Sequence, residues 1–158
     1  MPMDALRTLF RHHAWATLRL IDHCEGLPAE RLKETVPGTA GPILATLVHL
    51  LAADQRYLRH MDDQAAVRRI HESEPATLVE LRAAMQAQAA RWDALVGRAD
   101  ELDVTLPRHQ DPDIPHAQNL LFLQAIHHGN DHRTHVCTIL GALDLEVPDL
   151  SGWAYWSV

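Results

Sequence analysis

Residues 117–143, AQNLLFLQAIHHGNDHRTHVCTILGAL, carry the reading that decides the fold. Leu121, Ala125, His128, His132, His135, Ile139 and Leu143 recur at spacings of three and four, which is the stripe of a long helix. Asp144 follows where a helix wants a left-handed residue. Within the stripe His128 and His132 stand at i and i+4, one turn apart, so their rings project from one face. Two imidazoles so placed can share one ion. His127 lies about 100° away around the helix and is a poor partner.

Three more helices follow from the same periodicity. The first runs from about Met3 to Cys24, with Leu6, Leu9, Phe10, His13, Leu20 and Cys24 on its stripe, and stops near Gly26 and Pro28. The second follows PGTAGP, with Thr39 as a candidate cap and Pro42 early in the helix, and reaches about Met61. The third opens at Thr77-Leu-Val-Glu80, a capping-box pattern, and runs to about Ala99 with Leu78, Leu81, Met85, Trp92 and Leu95 inward. Between Asp100 and His116 three prolines predict an irregular connection able to hold a short strand pair. The expected fold is all-α, a four-helix bundle with a longer, partly irregular connection between helices 3 and 4. At 158 residues it fits a single domain, which buries roughly 70% of its unfolded surface. The tail, DLSGWAYWSV, reads as a hydrophobic lid on one end of the bundle.

Composition removes several function classes. Fourteen basic against twenty-one acidic residues leave a formal charge of −7, which argues against a phosphate-binding footprint and against docking on an anionic membrane. The most apolar run, GPILATLVHLLAA, is too short to span a bilayer and contains His49. Cys24 and Cys137 form no CxxC motif. They read as small hydrophobes in a reducing, cytoplasmic setting.

The chain has twelve histidines, and about one i,i+4 pair is expected by chance in such a chain. Placement raises the pair above chance, because imidazoles on a bundle seam need partners for their ring nitrogens. A metal ion and a hydrogen-bonded cluster both supply them. A third ligand would come from another helix, and His49 is the first candidate. It lies opposite the stripe Leu44, Leu47, Val48, Leu51 and Leu58, beside Ala45, Ala53, Arg56 and His60. Either the small-residue side faces the seam, leaving the leucines for a second subunit, or the leucines fill the core and His49 is a surface residue. His13 reads as a core histidine with a lesser claim on the site. His12, His23, His60, His71, His109 and His116 read as solvated.

Several stretches resemble the DinB-like (damage-inducible) family. LFRHHAWATLRLIDHCEGLPAERL (residues 9–32) is similar to that family's first helix, and TAGPILATLVHLLAADQRYL (39–58) to its second, whose histidine is a metal ligand. AIHHGNDHRTHV (125–136) is similar to its fourth-helix pattern NHxxxHRGQ, and LGALDLEVPDLSGWAYW (140–156) to its ending. The resemblance covers most of the chain. It implies ligands at His49, His128 and His132, keeps the family arginine at Arg133, and departs from the pattern at His127, Thr134 and His135. His135 then becomes a titratable neighbour of the site where the family often has an amide. The resemblance also implies that the alanine side of helix 2 faces the site, and that the leucines pack elsewhere in the fold or in a homodimer.

Three histidines leave a divalent ion open to water or substrate, as in catalytic zinc sites. Zn or Ni is expected, with Fe, Co or Cu also suited to imidazole. Characterised members of the resembling family include transferases and isomerases dependent on low-molecular-weight thiols. The leading expectation is therefore a metal-dependent thiol S-transferase acting on a small electrophile, with Arg133, Arg56 or the tail aromatics orienting substrate. A metal-dependent hydrolase, which would use water instead of thiol, and a non-catalytic metal-binding stress-response protein are the alternatives. For hydrolysis Asp131 is adjacent, but its helical angle points it away from His128 and His132.

Overall fold

The computed structural model describes residues 5–62, 69–108 and 111–158. Among the described residues the protein is mostly helical, with four long helices, a short fifth one and a single two-stranded sheet. Helix α1 spans Ala5–Glu25, α2 Ile43–Met61, α3 Leu78–Val96 and α4 Ala117–Ala142, while α5 is Gly152–Trp156. The first residues expected in α1, and His109, lie outside the described residues.

Local chemistry accounts for most of the boundaries. The capping box forms as the sequence predicts: the Glu80 amide donates to Thr77 Oγ1 and the Thr77 amide to Glu80 Oε2. Thr39 does not cap α2. Its hydroxyl donates to the Val36 carbonyl at 2.8 Å, closing a turn that contains one glycine at φ +87° and precedes another at φ +134°. Those left-handed residues, Gly38 and Gly41, redirect the chain, so the helix begins behind Pro42, whose fixed φ suits a helix start. Helix α3 ends at Val96 rather than Ala99, and a 3₁₀ turn at Ala99–Glu101 follows. The proline-rich connection does hold a strand pair, β1 Leu106–Arg108 and β2 Asp111–Ile114, antiparallel with Leu106 opposite Ile114 and an irregularity before Arg108. Asp144 adopts the expected left-handed conformation, φ +54°.

Each long helix packs mainly on two others: α1 on α3 and α4, and α2 on α3 and α4. Their buried residues form two apolar clusters. One contains Leu20, Leu47, Leu51, Met85 and Ile139; the other contains Phe10, Leu58, Trp92, Leu95 and Phe122. Each fully buried side chain of this size stabilises the fold by about 1.5–3 kcal/mol relative to exposure. Along every long helix a buried polar residue falls where one cluster gives way to the other: His13 on α1, Asp54 on α2, Gln88 on α3 and Arg133 on α4. The core is therefore two apolar halves joined through a polar layer.

Two expectations need correction. Leu9 is half exposed, because Phe10 beside it takes the inward position. The leucine stripe of α2 is not spare: Leu47, Leu51 and Leu58 are fully buried within this one chain, so the sequence ground for a homodimer falls away. The tail closes the end of the helices only in part. Tyr155 packs on Trp15 and His12, with ring centroids 5.4 and 5.6 Å apart, whereas Trp153 and Trp156 face outward.

Candidate metal centre

The contact between α2 and α4 carries His49 to the side chains of His128 and His132. Ring centroids are 5.1 Å apart for His49 and His128, 4.8 Å for His49 and His132, and 4.3 Å for His128 and His132. One nitrogen from each of the three rings lies within 4.8 Å of the others. The Nε2 atoms of His49 and His128 are 3.2 Å apart. Metal–nitrogen bonds of 2.0–2.1 Å in tetrahedral geometry place two ligand atoms roughly 3.3 Å apart, so this pair already has the separation one ion needs.

The α2 alternatives posed by the sequence turn out not to exclude each other. The leucines fill the core and His49 still reaches a neighbouring helix, because α2 is covered on two flanks, by α3 and by α4. The most buried line of α4 runs through Gly129, Arg133, Val136 and Leu140, and the histidine stripe beside it is half-buried. The rings therefore sit at the margin of the seam, screened from water on one side and accessible on the other.

This placement sets their charge. His132 has its pKa lowered to about 4, first by burial and then by His128 and His49 beside it. His128 is lowered by burial and then by His49. Both rings are held neutral at physiological pH, which is the form that binds metal. The donor set thus fits a divalent ion: three imidazoles with converging nitrogens and one open side. The open side meets a cleft of about 530 Å³ lined by His49 and His132 together with Leu44, Val48, Glu72 and Lys33.

His13 takes another role. Its Nε2 is 2.8 Å from Asp54 Oδ2, and its Nδ1 is 3.1 Å from Arg133 Nη1. A guanidinium only donates, so Nδ1 accepts and Nε2 carries the proton given to Asp54. Both nitrogens are committed, and His13 has none left for a metal. Arg133 also donates to Thr17 Oγ1 at 3.0 Å and is 4% exposed. Its guanidinium is occupied inside the core, which corrects the expectation that it orients substrate. Burial lowers its pKa to about 10 while Asp54 opposes the shift, so it stays charged.

His135 stacks edge-on against His132 at 5.5 Å, and His127 is exposed. Of the histidines expected to be solvated, His60, His71 and His116 are exposed, His23 is partly buried, and His12 bonds the Leu150 carbonyl at 2.9 Å. Sequence reasoning missed Glu72. Its Oε2 lies 2.9 Å from His49 Nδ1 and its Oε1 2.7 Å from Arg56 Nη1. These two hydrogen bonds, His49 first, hold its pKa below the usual carboxylate range. Nothing in the sequence marks it, since it lies in a connection and not on a helical stripe. Arg56, expected to meet substrate, is paired with this carboxylate.

Packed helices and an open cluster of three histidines define the class: a mostly helical protein with a site able to hold a metal ion. The DinB family model matches residues 1–155, and the chain belongs to that family. No curated protein matches it in sequence. No helix among the described residues is long and apolar enough to cross a membrane.

Proposed function

We propose that this DinB-family protein binds one divalent ion, Zn or Ni in first place, through His49, His128 and His132. On this reading it is a metal-dependent S-transferase that joins a low-molecular-weight thiol to a small electrophile, within a single four-helix-bundle domain. The observation that carries the reading is the convergence of three ring nitrogens within 4.8 Å beside a cleft of about 530 Å³. A divalent ion held there would supply positive charge that lowers the pKa of a thiol brought to it. The chain does the rest. His128 stays neutral through burial and the nearby His49, and His132 through burial and the nearby His128 and His49, while Leu44 and Val48 offer an apolar wall to the electrophile.

Hydrolysis is the weaker reading, because a water nucleophile needs a base and Glu72 is already engaged by His49 and Arg56. A non-catalytic metal-binding role is the remaining alternative. The free cysteines suit a reducing cytoplasm; burial pushes the Cys24 thiol up to about 12, so it is no nucleophile. Binding of nucleic acid forms no part of the proposal.

The test is a His128→Ala substitution assayed with small thiols and electrophiles, with bound metal quantified in the same samples. Loss of both metal and thiol-dependent turnover is expected. Thiol transfer that persists without metal would overturn the transferase reading, and retention of stoichiometric metal would overturn the ligand set.

A further inference from the structure

We infer that Glu72 is a positioning residue of the metal site, holding His49 in the one tautomer and orientation that leaves Nε2 free to bind. The inference rests on the metal reading above and adds a residue outside the three ligands. His128 and His132 share one helix, so the backbone of α4 fixes their spacing. His49 comes alone from α2, and nothing in its own helix aims its ring at theirs.

Glu72 supplies that aim. Its Oε2 sits 2.9 Å from Nδ1, on the ring edge away from the His128 nitrogen. A carboxylate accepts only, so Nδ1 carries the proton and the Nε2 lone pair is directed at Nε2 of His128, 3.2 Å away. By contrast, the Nδ1 atoms of His128 and His132 are buried without a hydrogen-bond partner among the described residues. The orienting carboxylate therefore serves the one ligand that helix geometry leaves unsupported. Metal-binding histidines commonly donate their second ring nitrogen to a carboxylate in this way, which fixes the tautomer and raises ligand basicity.

Glu72 is itself held on two sides. Arg56, two turns along α2 from His49, bonds its other oxygen at 2.7 Å. The segment that carries it is fastened to α2 where the Ile70 amide donates to Gln55 Oε1 at 2.9 Å. An exposed ion pair alone adds little stability. Here the same contact also decides which nitrogen of a ligand carries a proton.

The experiment compares native protein with Glu72→Ala, Glu72→Gln and His128→Ala, titrating Zn²⁺ alone against a competing chelator. The Nδ1 proton of His49 is followed by NMR in the Zn²⁺-loaded samples, and folding is monitored by circular dichroism. Glu72→Ala is expected to weaken Zn²⁺ binding by about ten- to a hundredfold and to shift the Nδ1 proton upfield. Glu72→Gln keeps an acceptor of the same length without the charge, so its affinity falls between the two; it carries the test if the alanine variant fails to fold. Native-like affinity in the Glu72 variants, with binding lost in His128→Ala, overturns the role of Glu72 and leaves the metal site standing. Weakened affinity with an unmoved Nδ1 proton also overturns it, since the carboxylate would then act by charge alone. Absence of Zn²⁺ binding in native protein, or native binding in His128→Ala, removes the metal reading and this inference together.

Discussion

At the scale of residues, Gly129 shows how a tertiary contact reverses a local preference. It lies inside α4, where alanine would ordinarily stabilise the helix by about 1 kcal/mol. A Cβ at this position would meet His13 Cε1 at 2.3 Å and Nδ1 at 2.6 Å. That ring cannot retreat, because Asp54 and Arg133 hold it from both sides. The overpacking cost of about 1–3 kcal/mol therefore wins. Gly129→Ala should lower the urea midpoint without changing the slope of the transition; a more stable variant would mean that the His13 network yields. The i,i+4 pair His128 and His132 was legible from spacing alone. The bonds of His13 were not, since Asp54 is forty-one positions away and Arg133 one hundred and twenty.

At the scale of elements, the caps followed the sequence wherever the required groups are neighbours in the chain. Thr77 and Glu80 are three positions apart, and their reciprocal bonds form as expected. Thr77→Ala should cost about 1 kcal/mol, measurable by chemical denaturation, whereas Thr39→Ala should leave the start of α2 in place because Thr39 caps nothing. The irregular connection was read correctly as proline-broken chain able to pair briefly. Where the reading of elements failed, the cause was coverage. Periodicity describes one favoured face, and α2 has two covered flanks, so a histidine opposite the leucines need not be a surface histidine.

For the molecule as a whole, the histidine cluster makes stability depend on pH. In the metal-free protein His132 titrates near 4, against 6.5 for an ordinary histidine, and His128 shifts in the same direction. Between those values only the unfolded chain takes up the proton. Stability is therefore full above about pH 6.5 and falls as the pH drops toward 4. A His132→Gln variant should show a shallower fall of the unfolding midpoint over that window, and an unchanged slope would mean that the ring protonates freely in the folded state. Composition and periodicity by themselves determined the helical class, the approximate extents of the four long helices and the pairing of His128 with His132. These are short-range matters, governed by backbone geometry and by residues within a turn or two. Only tertiary structure decided that the leucines of α2 are used up within the chain, that His49 reaches α4, that Arg133 belongs to the core and bonds His13 there, and that Glu72 stands behind His49. Each of these depends on which helix flank meets which. That choice is made by the summed burial of two apolar clusters and the polar layer between them, and no local segment of sequence records it.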